Sequence, residues 1–271
     1  MTAVEDEIFQ HVLYRVDGRV ARIAINRPAR RNALSNEVLA ELRAAVERSR
    51  LDAAVRVVVL AGEGQDAFCA GGDLRQMAEG SAADAHERRG ELARLFLDLW
   101  ALGKPTIARV QGYALAGGMG LALACDFVVA SEAAQFGVPE VRAGLWPYMI
   151  TIPLLRSMPE KTALGLMLTG RRVTAAEGAE IGFVTHLAPP GRLDDVVDEL
   201  TAELALAAPL ATRTGRTLFH SMCTRDAEVN LQMLQAHLTV SLGTEEAAEG
   251  LRAFAEKRPP RWQIGSESGE P

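Results

Sequence analysis

The chain has 271 residues and a mass of 29.1 kDa, and its hydrophobic content of 48% can fill the core of one large domain or two small ones, which excludes a disordered chain or a miniature scaffold. Charged residues make up 24% and net −6 with a pI near 5.5; they are scattered along the chain, which argues against a general nucleic-acid surface. Three cysteines, Cys69, Cys125 and Cys223, show no disulfide-framework pattern and suit a reducing compartment.

In chain order, Met1 to Gln10 carries Glu5, Asp6 and Glu7 where an export signal would place a basic and then an apolar stretch, so a cytoplasmic protein is expected. Val12 to Val16 and Val20 to Asn26 alternate apolar and polar residues around Asp17-Gly18, which predicts a hairpin. Ser35 can cap a helix running to about Arg50, with Val38, Leu39, Leu42, Ala45 and Val46 on one face. Val55 to Ala61 is a β-branched run bounded by Gly62 and reads as a buried strand. A polar, Ala-rich stretch from Met77 to Arg89 leads into a helix ending near Leu102, followed by a strand from Thr106 to Val110.

The longest apolar run, Ala114 to Cys125, is broken by Gly117, Gly118 and Gly120 and falls far short of the roughly 18 residues a membrane span needs. It predicts a helix from Gly120 to Ala124, before a strand from Phe127 to Ala130. Thr174 with Glu177 fits a reciprocal capping box, Leu193 to Leu206 is periodic, and Leu210 to Lys257 is helical throughout. The order describes an α/β region over 1–190, a helical C-terminal region over 191–264 and a polar tail over 265–271, with no internal repeat.

Two glycine-rich loops follow strands: Ala67-Phe68-Cys69-Ala70-Gly71-Gly72-Asp73-Leu74, and Gly112-Tyr113-Ala114-Leu115-Ala116-Gly117-Gly118-Met119-Gly120. Glycine lets a ligand approach backbone N–H groups closely, and a helix start leaves such donors unpaired, so the two loops can converge on one oxyanion. Each alone also reads as a tight strand-to-helix turn.

Taken with Ile25-Asn26-Arg27-Pro28, Asn32-Ala33-Leu34, Cys125-Asp126, Phe136-Gly137-Val138-Pro139-Glu140, Leu168-Thr169-Gly170-Arg171 and Phe254-Ala255-Glu256-Lys257-Arg258, these loops make a sequence that resembles the crotonase superfamily, the enoyl-CoA hydratases and isomerases. The resemblance spans most of the chain. It implies a spiral of ββα units with a C-terminal helical trimerisation region, self-association as a trimer or dimer of trimers, and an acyl-CoA substrate. No metal, separate cofactor, nucleic acid or membrane is called for, since coenzyme A is part of the substrate.

By motif position, the N–H groups of Gly72 and Gly117 would hold the thioester oxygen, and the Ala70 carbonyl would meet the adenine. Arg27, Arg30 and Arg31, with Lys257 or Arg258, are candidates for the phosphates, Arg being suited by its fork of donors; such a loop cluster is also ordinary solvated surface. Leu74 falls in the same binding motif. So does Asp73, although Asp73 and Asp126 read better as holders of loop amides. Family hydratases commonly carry two glutamates. The second is present as Glu140; at the first position stands Gly120. A single carboxylate suits proton shuttling between two carbons, which favours isomerisation of a 3-enoyl-CoA over direct hydration, with hydratase as the alternative and another crotonase reaction or a non-catalytic acyl-CoA binder behind it. Phe136, Val138 and Val141 around Glu140 are expected to raise its pKa by desolvation. Trp146, Tyr148 and Met149 are expected to wall the acyl pocket, with Tyr148 a further candidate proton donor.

Other motifs carry less. Gly62-Glu63-Gly64-Gln65-Asp66-Ala67 formally matches a dinucleotide fingerprint but lacks the helix and distant acidic residue that site needs. The five histidines show no metal-binding spacing, and His220 with Cys223 reads as helix packing or surface placement.

Overall fold

A two-residue turn at Gly18 and Arg19 opens the fold, with Gly18 at φ +58. It joins β1 (Val12–Asp17) and β2 (Val20–Ile25) in antiparallel register, Asp17 opposite Val20. The structure, a computed structural model, describes residues 9–73, 90–207, 209–223 and 227–260. The expected Met77 to Arg89 stretch, Leu74 and the polar tail lie outside those residues.

Ser35 Oγ accepts from the Val38 N–H and caps α1 (Asn36–Leu51), as its sequence predicts. Strand β3 (Val57–Gly62) follows, then β4 (Ala67–Cys69), α2 (Glu91–Ala101), β5 (Thr106–Val110), β6 (Tyr113–Leu115) and α3 (Gly117–Leu123). Next come β7 (Phe127–Ser131), β8 (Gln135–Gly137), a 3-10 turn at Pro139–Ala143, α4 (Thr151–Ser157), α5 (Glu160–Thr169), β9 (Arg172–Thr174), α6 (Ala175–Ile181) and β10 (His186–Ala188). The chain ends in α7 (Leu193–Ala205), α8 (Pro209–Cys223), α9 (Ala227–Leu242) and α10 (Glu245–Ala255).

Among the described residues, six strands form one sheet in the order β1-β2-β3-β5-β7-β10, and four form a second in the order β4-β6-β8-β9. The chain crosses from the first sheet to the second three times, β3 to β4, β5 to β6 and β7 to β8, and the strands on each side pair in parallel. That repetition is the expected ββα spiral. The β-branched run of β3 has no polar alternation because both faces are buried: Val58 and Leu60 join the main core, while Val57 and Val59 meet Leu193, Val197 and Leu200 of α7. The first helix of the expected C-terminal region therefore packs as a layer of the core.

Two local expectations change. Helix α3 begins at Gly117, three residues before the sequence suggests, because Ala116 rather than a polar residue starts it, at φ +50. The box at Thr174 forms by half. Thr174 Oγ1 accepts from the Glu177 N–H at 3.2 Å, but the Glu177 carboxylate turns to Arg171.

Asp126 ties the starts of β5 and β7 to α8. Its carboxylate accepts from the Thr106 N–H (2.8 Å), Arg216 Nε (2.7 Å) and His220 Nε2 (3.0 Å). Arg156 Nη2 lies 2.7 Å from His220 Nδ1, and since a guanidinium only donates, Nδ1 accepts and the imidazole proton sits on Nε2. Burial opposes ionisation of Asp126, but His220 and Arg216 hold its pKa below the usual carboxylate value. His220 thus belongs to a packing network, and among the described residues no cluster of His, Cys, Asp or Glu is placed to hold a metal ion. No helix among them is long and apolar enough to cross a membrane.

The last helix bears on the 3-10 turn. A Cβ on Gly250 of α10 would press into the Ala143 backbone, meeting its Cα at 3.0 Å and its carbonyl closer still. Helix propensity alone would make Gly250→Ala stabilising by up to about 1 kcal/mol. The close approach reverses that sign: the variant is expected to lose about 1–3 kcal/mol in urea unfolding, and a gain in stability would show that the contact does not constrain the turn.

Candidate active site

The segment after β2 is a scaffold for the first glycine-rich loop. Arg31 and Asn32 both adopt left-handed backbone, φ +49 and +55, and Asn32 is fully buried. Its amide Nδ2 donates to the carbonyls of Glu63 (2.9 Å) and Ala67 (2.7 Å), while Oδ1 accepts from the Arg27 N–H (3.0 Å). Asparagine tolerates this conformation and supplies donors and an acceptor in one short side chain. Gly62 leaves the room for it, since a Cβ there would meet Asn32 Nδ2 at 2.5 Å. A strand, β4, follows Gly62 where a dinucleotide site would need a helix, which removes that reading.

Leu34 then bridges Gly72 in parallel: the Leu34 N–H donates to the Gly71 carbonyl at 2.8 Å, and the Asp73 N–H to the Leu34 carbonyl at 2.9 Å. Neither bond uses the Gly72 N–H. Arg27 fastens the same joint, Nη1 to the Ala33 carbonyl at 2.9 Å and Nη2 to Asp73 at 3.2 Å, with both side chains less than one-fifth exposed. The sequence offers Arg27 for phosphate binding and Asp73 for substrate; their charges meet each other instead. Arg30, Arg31 and Lys257 are exposed, whereas Arg258 pairs with Glu249 and Glu256. Ala70 is half-buried, and its N–H donates to the Arg31 carbonyl at 3.0 Å.

The second loop meets the first edge to edge. Gly71 adopts φ +99, and a Cβ on it would lie 2.7 Å from the Ala116 Cβ and 3.4 Å from the Gly117 N. A Cβ on Gly117 would stand 3.8 Å from the Gly72 N, between Leu34 and Leu92. Gly117 is the first residue of α3, where an N–H has no partner within the helix. Ala116 before it is held at φ +50, ψ −126, a conformation unusual for a residue with a side chain and typical of strain stored at functional sites.

Gly72, Gly117 and Glu140 line one cavity of about 100 Å³, together with Leu92, Leu145, Trp146, Tyr148, Met149, Ile150 and Leu238. Glu140 comes from the 3-10 turn, which Gly144 closes in a left-handed conformation and Arg142 holds to the Thr169 carbonyl at 3.3 Å. Its Oε2 is shut off from solvent and has no hydrogen-bond partner among the described residues. Burial raises its pKa to about 7, opposed only by a hydrogen bond from its own N–H. A carboxyl balanced near neutrality inside an apolar wall can both take and return a proton.

Gly120 also faces this region, and the space a side chain would need there is filled. A Cβ at Gly120 would lie 2.8 Å from the Ile150 Cβ, nearer still to its Cγ2, and 3.2 Å from Phe96 Cζ. Trp146, Tyr148 and Met149 line the cavity as expected, and the Tyr148 ring stacks on His237 of α9 with centroids 5.9 Å apart. Ile150, Leu92 and Leu238 are lining residues the sequence did not mark. Their signal is only apolar character on helices or a loop, indistinguishable in sequence from core.

The Gly120 contact generates a stability test. Gly120→Ala should cost about 1–3 kcal/mol by overpacking, and combining it with Ile150→Ala should give less than the sum of the separate losses. Additive losses in denaturant unfolding would mean that the two positions do not compete for one space.

A profile of the enoyl-CoA hydratase/isomerase family matches residues 15–265. The chain is 34% identical to carnitinyl-CoA dehydratase of Proteus mirabilis, across 91% of this chain and 95% of that protein. It is equally 34% identical to (E)-benzylidenesuccinyl-CoA hydratase of Thauera aromatica, across 93% and 98%. The crystal structure of an enoyl-CoA hydratase from Mycobacterium avium superposes with a TM-score of 0.85 at 33% identity, covering 94% of this chain and all of that one. The sequence, the spiral of paired sheets and these matches make the chain a member of the enoyl-CoA hydratase/isomerase family, with the crotonase fold.

Proposed function

We propose that the chain moves the double bond of a 3-enoyl-CoA to the 2-position, with Glu140 as the only proton carrier and the N–H groups of Gly72 and Gly117 as the oxyanion hole. The observation that carries this reading is the pairing of one buried, hydrogen-bond-free carboxyl oxygen with a Gly120 position already filled by Ile150 and Phe96. Ionised Glu140 takes a proton from C2 of the thioester, and the electron pair passes onto the thioester oxygen as a dienolate. The two amides stabilise that charge more than the neutral ground state, each by roughly 3 kcal/mol judged from donors of this kind. Protonated Glu140 then returns the proton at C4, and the double bond closes between C2 and C3. No cofactor enters the sequence of steps.

A second reading is supported by the relatives named as a hydratase and a dehydratase. In it the same enolate forms, and Glu140 handles both water and the C2 proton. Mass spectrometry of products from 3-hexenoyl-CoA and crotonyl-CoA separates the two: isomerisation leaves the mass unchanged and hydration adds one water. Mass gain on crotonyl-CoA without any shift of the 3-enoyl double bond would replace the first reading by the second.

Within this proposal Arg30, Arg31 and Lys257 remain for the coenzyme A phosphates, the Ala70 carbonyl for the adenine, and Trp146 and Tyr148 for the acyl group. Arg27 acts at one remove, through Asp73 and Ala33, on the position of the Gly72 amide. The C-terminal helices expose Leu206, Leu210, Phe219, Val229, Val240 and Phe254, which supports burial against further copies as a trimer or dimer of trimers.

Glu140→Gln should abolish turnover while leaving coenzyme A binding intact. For the parent, kcat/KM for isomerisation should rise with pH through an apparent pKa near 7, and a limb near the ordinary glutamate value would refute the desolvated base. Stability has the opposite sign. Because the folded pKa is raised, the contribution of Glu140 is fullest below about 4.5 and is lost as pH climbs to about 7. Glu140→Gln should therefore unfold at higher urea than the parent above pH 7 and match it near pH 4.5.

Arg27→Gln is expected to lower kcat by about tenfold or more with KM and coenzyme A affinity changed little. Loss of affinity at unchanged kcat would return Arg27 to the phosphates.

A further inference from the structure

A separate recess of about 330 Å³ shares no lining residue with the cavity. It is built where β3 and β5 begin, from the ends of α1 and α7 and the start of α8. Its charged lining residues are Arg50, Arg56, Lys104 and Arg213, with no carboxylate among the residues that line it. For a chain of net charge −6 this concentration of positive charge is against the average of the molecule.

Three of the four cations, Lys104, Arg56 and Arg213, have no carboxylate in an ion pair with them among the described residues. Lys104 Nζ donates to the carbonyls of Ser49 (2.5 Å) and Asp52 (2.6 Å) at the C-terminal end of α1, and Arg56 Nη2 to the Ala207 carbonyl (2.7 Å). Carbonyls orient a cation but leave its charge. Arg213 lays its stem over Gly103, whose φ of +73 and missing side chain make the space: a Cβ there would meet Arg213 Cγ at 3.1 Å. Arg50 is paired with Glu47 at the rim, and Asp52 stands near Lys104, so the two acidic neighbours offset part of the charge and positive charge remains in excess. Burial first, with Asp52 opposing, and then the charges of Arg56, Arg213 and Arg50 pull the Lys104 ammonium below its ordinary pKa. The groups are thus close enough to repel one another, a cost that a bound anion would remove.

We infer that this recess is a binding site for a phosphate-bearing anion, separate from the acyl-CoA cavity. Two guanidinium forks and one ammonium suit the several oxygens of a diphosphate better than a single carboxylate. Leu51, Leu204 and Pro209 on the walls leave room for an apolar or ring-bearing portion. Ala70, Gly72 and Gly117 follow β4 and β6 of the second sheet, whereas the recess lies before the N-terminal ends of β3 and β5 in the first, and no residue lines both cavities.

The test is calorimetric titration of the full chain with inorganic pyrophosphate and, separately, with ADP, at about 0.15 M salt so that long-range surface attraction is screened. The expected result is one site per chain, weakened about tenfold or more by Arg213→Gln and by Arg56→Gln, with kcat and KM for the acyl-CoA substrate unchanged in both variants. Arg213 is exposed and bound to no structural partner carboxylate among the described residues, so its variant keeps the fold, which circular dichroism checks. Tighter binding of ADP than of pyrophosphate assigns the site to a nucleotide; equal binding assigns it to the diphosphate alone. Absence of heat with both ligands, unchanged affinity in the variants, or a raised KM for the acyl-CoA substrate in them would overturn the inference.

Discussion

The parallel bridge between Leu34 and Gly72 is the constraint on which the site depends. It consumes the Gly71 carbonyl and the Asp73 N–H and leaves the amide between them uncommitted, facing the start of α3. An unbonded amide at the edge of a core is costly unless something holds it there. Here the holding is distributed: Asn32 pins the loop from below, Arg27 and Asp73 close its side, and Gly71 permits Ala116 to come within contact. The residues best placed to govern catalysis by this amide therefore include several that do not reach the cavity.

The same architecture explains why one face of the site is apolar. Strands β4, β6 and β8 deliver the two amides and the glutamate turn to one place, but the helices supply the wall, Leu92 from α2 and Leu238 from α9, with Ile150 just before α4. Glu140 thus stands in apolar surroundings, with no hydrogen-bond donor to its Oε2 among the described residues. That environment is unfavourable for an ion and favourable for a proton carrier, since it brings the two protonation states close in free energy.

Much of this was legible in the sequence because it was local. The hairpin at Gly18, the Ser35 cap, β5 and the glycine-rich loops each show their own signal within a few residues, and Gly72, Gly117 and Glu140 meet in one cavity as their motif positions imply. What was not legible is pairwise. Nothing in the sequence tells Arg27 that Asp73 lies 3.2 Å away, or that Ile150 occupies the room beside Gly120. The early start of α3 was missed for a related reason: a positive φ at Ala116 is imposed by the loop packed against it, and alanine itself carries no sign of it.

Ala116 also shows how the fold sustains strain at the site. A residue with a Cβ at φ +50 and ψ −126 costs on the order of 1–3 kcal/mol and persists only where its surroundings over-determine it. Three contacts do so: its N–H donates to the Gly137 carbonyl at 2.8 Å, its own carbonyl accepts from the Gly120 N–H at 3.1 Å, and its Cβ fills the space that Gly71 leaves open. The partners at Gly137 and Gly120 belong to the strand that leads to Glu140 and to the helix that starts at Gly117. One strained residue thus couples the donor side of the cavity to its acid/base side, so the spacing between amide and carboxyl is set by backbone hydrogen bonds and does not depend on how the exposed side chains are arranged.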